Sequence, residues 1–72
     1  MQLWSRKDNM RLGREIADIN VRRGNAVALG DAETVARDNT RIVRRQDVLR
    51  HRVRRGDGQA LAVLASNLVP ED

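Results

Sequence analysis

The chain has 72 residues, of which 33% are charged, with no cysteine and a formal net charge of +4. That length holds one domain, near the lower limit for a single hydrophobic core, and the missing cysteines exclude a disulfide framework and a thiolate metal site. No apolar run approaches the roughly 20 residues of a membrane span, and the N-terminus has no apolar signal region. The expectation is therefore a soluble protein of the cytoplasm, or of a particle assembled there, with no membrane partner.

Taken in chain order, the sequence reads as three helices. Leu12, Ile16 and Ile19 recur at i, i+4 and i+7, which predicts an amphipathic helix from about Asp8 to Arg23. Ser5 or Asp8 can cap its start, because a side-chain oxygen accepts from an otherwise unpaired first-turn N–H. Gly24 is expected to end it, after the basic last turn VRRG. The same four letters return at residues 53–56, and we read them as one stop device used twice, not as a duplicated domain. Residues 25–30, NAVALG, are expected to form a connection, or one helical turn, whose Val27 and Leu29 tuck under the fold.

Asp31 then supplies an N-cap with Glu33 in the first turn. From Ala32 to Arg55 there is neither Gly nor Pro, so a single long helix is predicted there. Asp57 and Gly58 interrupt the chain. Gln59 to Leu68 is a short apolar helix that should end before Pro70, which leaves Glu71 and Asp72 as a loose acidic tail. The predicted architecture is all-α: a small three-helix domain spanning residues 1–72 with one long central helix, associating through helix packing.

With Ala32 at heptad position a, the seam of the central helix is Ala32, Val35, Asn39, Ile42, Gln46, Leu49 and Val53, and Ala36 and Val43 widen it at e. The d positions are all apolar. Such a stripe serves either as intramolecular core or as the seam of a homo-oligomer, in which Asn39 would fix the register. The apolar complement favours some association. Val, Ala and Leu dominate it, with three Ile, and Trp4 is the only aromatic residue.

The other face of the helix carries Arg41, Arg44, Arg45, Val48, His51, Arg52 and Arg55 at helical spacing. Residues 41–55 contain seven Arg and one Asp, whereas residues 31–40 contain Asp31, Glu33 and Asp38 against Arg37. Like charges repel at i, i+4 on an isolated helix, so the excess of one sign points to an anionic partner. Arg41, Arg44, Arg45, Arg52 and Arg55 are therefore the candidate contacts to nucleic-acid phosphates, which guanidinium groups bind in bidentate fashion.

An acidic protein surface is the competing partner. In that reading the chain is a protein-interaction module: a small inhibitor, an adaptor or a structural subunit of an assembly such as a virus particle. The short arginine-heavy composition suits a reading frame of a bacterial virus or mobile element. Trp4, just before the candidate cap Ser5, either packs back on the first turn or serves as a partner anchor.

Catalytic signals are missing from the sequence. His51 is the lone histidine and has no second ligand for a metal. Glu15 and Asp18 lie among Arg11, Arg14 and Arg22 and read as surface ion pairs. No glycine-rich run has phosphate-loop spacing. A helix-turn-helix over residues 32–51 fails where Thr40 stands in place of the turn glycine and Gln46 in place of an apolar residue. The expectation is a non-enzymatic protein with no cofactor, no metal and no small-molecule substrate.

Overall fold

The computed structural model describes residues 4–67. They form α1 (Arg6–Ala28), α2 (Ala32–Arg54) and α3 (Gly58–Ser66). The first two helices have 23 residues each, about 35 Å at 1.5 Å per residue, and pack antiparallel as a hairpin. This length gives the molecule its 45 × 24 × 18 Å extents. The third helix, with nine residues and about 14 Å, closes over both near the N-terminal half of α1. The all-α architecture with one long uninterrupted central helix is as the sequence predicts, and continuous helix through Thr40 leaves no turn there for a helix-turn-helix.

Both connections are three residues long and chemically the same. At the end of α1, Gly30 has φ +70° and the amide of Asp31 donates to the carbonyl of Ala26 at 2.9 Å. At the end of α2, Gly56 has φ +96° and the amide of Asp57 donates to the carbonyl of Arg52 at 3.0 Å. This six-to-one bond closing on a left-handed glycine is the Schellman stop. The aspartate that completes each stop is also the N-cap of the next helix. Asp31 accepts from Thr34 N, and Asp57 accepts from Gln59 N and Ala60 N. A Gly-Asp pair thus ends one helix and starts another.

Gly24 does not end α1. The helix continues through it to Ala28, and the segment 25–30 expected as a connection supplies the last turn of α1 and its stop, with Val27 and Leu29 exposed and Ala26 buried in their place. The signal that misled was the basic turn before glycine; an interior helical glycine costs only about 1 kcal/mol, which the packed hairpin absorbs. The repeated VRRG therefore marks one stop, at Gly56, and the true repeat is Gly-Asp. Ser5, not Asp8, caps α1, accepting from Asp8 N at 3.4 Å. The expected C-terminal end of α3 at Leu68, the break at Pro70 and the acidic tail at Glu71 and Asp72 lie outside the described residues.

The core consists of Leu12 and Ile16 from α1, Leu49 from α2, and Ala60 and Leu64 from α3, with Ile42, Val53 and Val63 packed against it. Leu49 is fully buried. Gly13 makes the approach of α3 possible: a Cβ there would lie 2.6 Å from Val63 Cγ1 and 3.0 Å from Asn67 Nδ2. At Gly24 the same atom would meet nothing within 4 Å.

Two substitutions that look alike in sequence should accordingly differ in sign. Gly24→Ala should raise stability by about 0.5–1 kcal/mol through helix propensity. Gly13→Ala should lower it by about 1–3 kcal/mol through overpacking against a stiff β-branched side chain. Urea denaturation of both variants measures the pair; stabilisation by Gly13→Ala would show that α3 does not seat as described.

Candidate nucleic-acid interface

The five arginines assigned to the outer face of α2 separate into two groups, because the buried face of α2 is rotated from the a/d/e stripe. Val35, Ile42 and Leu49 at the d positions turn inward, and Gln46 and Val53 are half-buried. Asn39, Ala36 and Val43 are exposed, Val43 at 48%. The inward face instead includes the g positions Asp38, Arg45 and Arg52.

Each of these meets an opposite charge on α1. Arg52 Nη1 lies 2.7 Å from Asp8 Oδ2, and Arg45 Nε lies 3.2 Å from Glu15 Oε1. Arg22 grips Asp38 with two bonds, from Nε at 3.1 Å and from Nη2 at 2.9 Å. Every step of seven residues up α1 matches a step of seven down α2, which is the geometry of antiparallel helices in contact. Charged residues are accepted at g because the partner helix supplies the counter-charge.

At the end where α1 begins, the ladder joins a buried polar node. Asn9 is fully buried; its Nδ2 donates to Asp57 Oδ2 at 3.0 Å and to Gln59 Oε1 at 2.6 Å, and its Oδ1 accepts from Arg52 Nη1 at 2.7 Å. One amide so ties all three helices. The Arg52 guanidinium also lies 5.2 Å from the Trp4 ring centroid, and His51 meets that ring edge-on at 6.2 Å. Trp4, half-buried, packs across onto α2 through these two side chains. Among the described residues no buried side-chain N or O lacks a partner.

These contacts set the acid–base behaviour. The Arg22 hydrogen bonds hold the Asp38 carboxyl below the usual carboxylate range, against an opposing effect of its burial. Arg11 and then Arg52 do the same for Asp8, the Thr34 hydroxyl and amide for Asp31, and Asn9 foremost for Asp57.

The candidate phosphate contacts are therefore unequal. Arg52 has only 12% of its side chain exposed, and Arg45 is half-buried, bonding Glu15 and the Arg41 carbonyl. Arg41 is more open but faces Asp38 at 3.6 Å. Arg44 and Arg55 are exposed and make no ion pair among the described residues. They stand eleven residues apart, close to three full turns, and so share one face about 16 Å in length.

Antiparallel packing brings further cations to the same end of the hairpin as Arg55. Arg54 is exposed next to it, and Arg6 and Lys7 are exposed at the start of α1, immediately before Asp8, the partner of Arg52. Sequence reasoning left Arg54 off the candidate face of α2, and it overlooked Arg6 and Lys7 because it considered one helix at a time. The opposite end of the hairpin carries Asp31 and Glu33. Among the described residues no helix is long and apolar enough to cross a membrane. Comparison with known proteins adds no relative: no family model, curated protein or solved structure matches the chain.

The linkage to pH has a definite sign. Carboxyls with folded pKa values below the unfolded value of 3.8 contribute stability that is fully present above that value and is lost as pH falls through the folded ones. The melting temperature should stay level from neutral pH to roughly pH 5 and then fall. At neutral pH, Arg22→Ala should lower it more than Asp38→Leu, because the first leaves a buried carboxylate with only the longer Arg41 contact at 3.6 Å while the second leaves an arginine free to reach water. Thermal melts by circular dichroism test both statements; the reverse ordering would remove the burial cost assigned to Asp38.

Proposed function

We propose that this protein is a small non-enzymatic accessory factor of the cytoplasm that binds nucleic-acid phosphates through its basic end. The observation that supports this reading is a grouping of cations that make no ion pair among the described residues. Arg54, Arg55, Arg6 and Lys7 gather where α2 ends and α1 begins, and Arg44 extends the group along the outer face of α2. The ladder neutralises the arginines between the helices, so the excess positive charge is left at this end and faces solvent.

Unpaired guanidinium groups at a protein surface suit phosphate oxygens, which accept two parallel N–H bonds from one arginine. Contacts of this kind position a protein on nucleic acid without reading base sequence, so binding should be largely indifferent to sequence. The far end, with Asp31 and Glu33, would point away from the phosphates and give the complex a direction. Arg45 and Arg52 serve the fold in this reading, and Arg41 is a secondary contact.

Titration of a labelled duplex of arbitrary sequence across a salt series tests the proposal. Four or five phosphate contacts should give a log–log slope of about −4. Arg54→Gln combined with Arg55→Gln should make the slope shallower by about 2, whereas Arg14→Gln, on an outer face of α1, should leave it unchanged. Absence of binding at low salt would overturn the reading.

A further inference from the structure

We propose that the open half of the α1/α2 hairpin seats α2 of a second copy of this chain, antiparallel and centred on Asn39. Among the described residues a groove of about 420 Å³ lies along the α1/α2 hairpin, reaching Asn67 just past α3. Its floor is Ile16, Ile42 and Val43, and the amides of Asn20, Asn39 and Gln46 rim it. Arg23, the one charged residue in the lining, is occupied by Asn20 at 2.7 Å and by Asn39 at 3.3 Å.

Along the α2 side of this groove runs a second feature. Ala32, Ala36, Asn39, Val43 and Gln46 follow steps of four and three residues, the spacing at which one helix presents a seam to another. All are uncharged and exposed except the half-buried Gln46, on a helix otherwise dense in charge. The fold of one copy makes little use of this stripe.

Three properties of the stripe select a second copy as its occupant. The first is shape. The residues are disposed about Asn39 so that antiparallel pairing sets small Ala32 against Gln46, seven residues to either side, as an isologous two-fold contact requires. The second is the amide at the centre. Asn39 Oδ1 already accepts from Arg23, which leaves Nδ2 free to donate across the axis, and an amide is among the few side chains able to pair with its own copy.

The third is charge. Antiparallel placement about Asn39 brings Glu33 of one α2 level with Arg44 and Arg45 of the other, whereas parallel placement would set Glu33 against Glu33. None of Arg44, Arg54 or Arg55 belongs to the stripe, so the inference stands or falls separately from phosphate binding.

Sedimentation equilibrium of the full chain without nucleic acid tests the proposal. The expected result is twice the 8.2 kDa chain mass, and return to the single-chain mass in Ala36→Glu combined with Val43→Glu. Those positions are exposed in one copy, so the helical circular dichroism should not change. A single-chain mass at every concentration up to the millimolar range, or a dimer that survives the double variant, would overturn it. Orientation has its own readout, since the chain has no cysteine. Asn39→Cys should form a disulfide-linked dimer under mild oxidation, whereas Ala32→Cys should link to Gln46→Cys and not to itself. Equal self-linking by Ala32→Cys would sink the antiparallel arrangement.

Discussion

The register of α1 against α2 depends on three ion pairs spaced seven residues apart. Asp8 with Arg52, Glu15 with Arg45 and Arg22 with Asp38 fit together only when the helices run in opposite directions and at one offset. The core is too small to impose this alone. Its fully packed members are three leucines, one isoleucine and an alanine, all of which would tolerate a slide of one helix along the other. A slide by one turn, in contrast, would take every arginine of the ladder away from its carboxylate. Apolar burial supplies the driving force and the charges supply the choice.

The reversal of polarity within the ladder adds to that choice. Two pairs have the acid on α1 and the third has it on α2. In a parallel arrangement Asp8 would approach Asp38, and Arg22 would approach Arg52. The same reversal bears on the charge distribution along the molecule: with the ladder arginines neutralised, the unpaired cations collect at the end where α1 begins, whereas at the other end Asp31 and Glu33 are balanced by Arg23 and Arg37. Asn9 strengthens the arrangement where the ladder meets α3, since the single amide ties Arg52, Asp57 and Gln59. Buried amides of this kind fix a unique packing when every hydrogen-bonding position is filled.

Much of the fold was legible in the sequence because its signals are local. The apolar spacing of Leu12 and Ile16, the uninterrupted run from Ala32 and the capping aspartates each act within a few residues. Gly24 and Gly30 look equally able to stop a helix, and only the hydrogen bond from Asp31 back to Ala26 separates them. The face of α2 was harder to read. A pattern of apolar positions implies an apolar stripe, whereas the helix buries charge at Asp38 and Arg52 because another helix answers it. That answer lies about 16 residues away for Asp38 and about 44 for Arg52. Its trace was present, as two sets of charges at heptad spacing and opposite order, but it appears only when two helices are read against each other. The candidate interface suffered from the same limit: Arg44 and Arg55 were found on one helix, whereas Arg6 and Lys7 required knowing where α1 begins relative to the end of α2.

The Gly-Asp connections carry a consequence for how the chain meets a protease. Trypsin cleaves after lysine and arginine, of which the sequence has 14, but it needs several residues drawn out in extended form across its cleft. Connections of three residues, closed by their own backbone bonds and opening at once into the next helix, give it no such stretch between Arg6 and Ser66. A chain dense in cleavage sites is thereby shielded for as long as its helices stay closed. Its rate of digestion then follows the opening of the hairpin, so that survival among proteases is set by how often the charge ladder lets go.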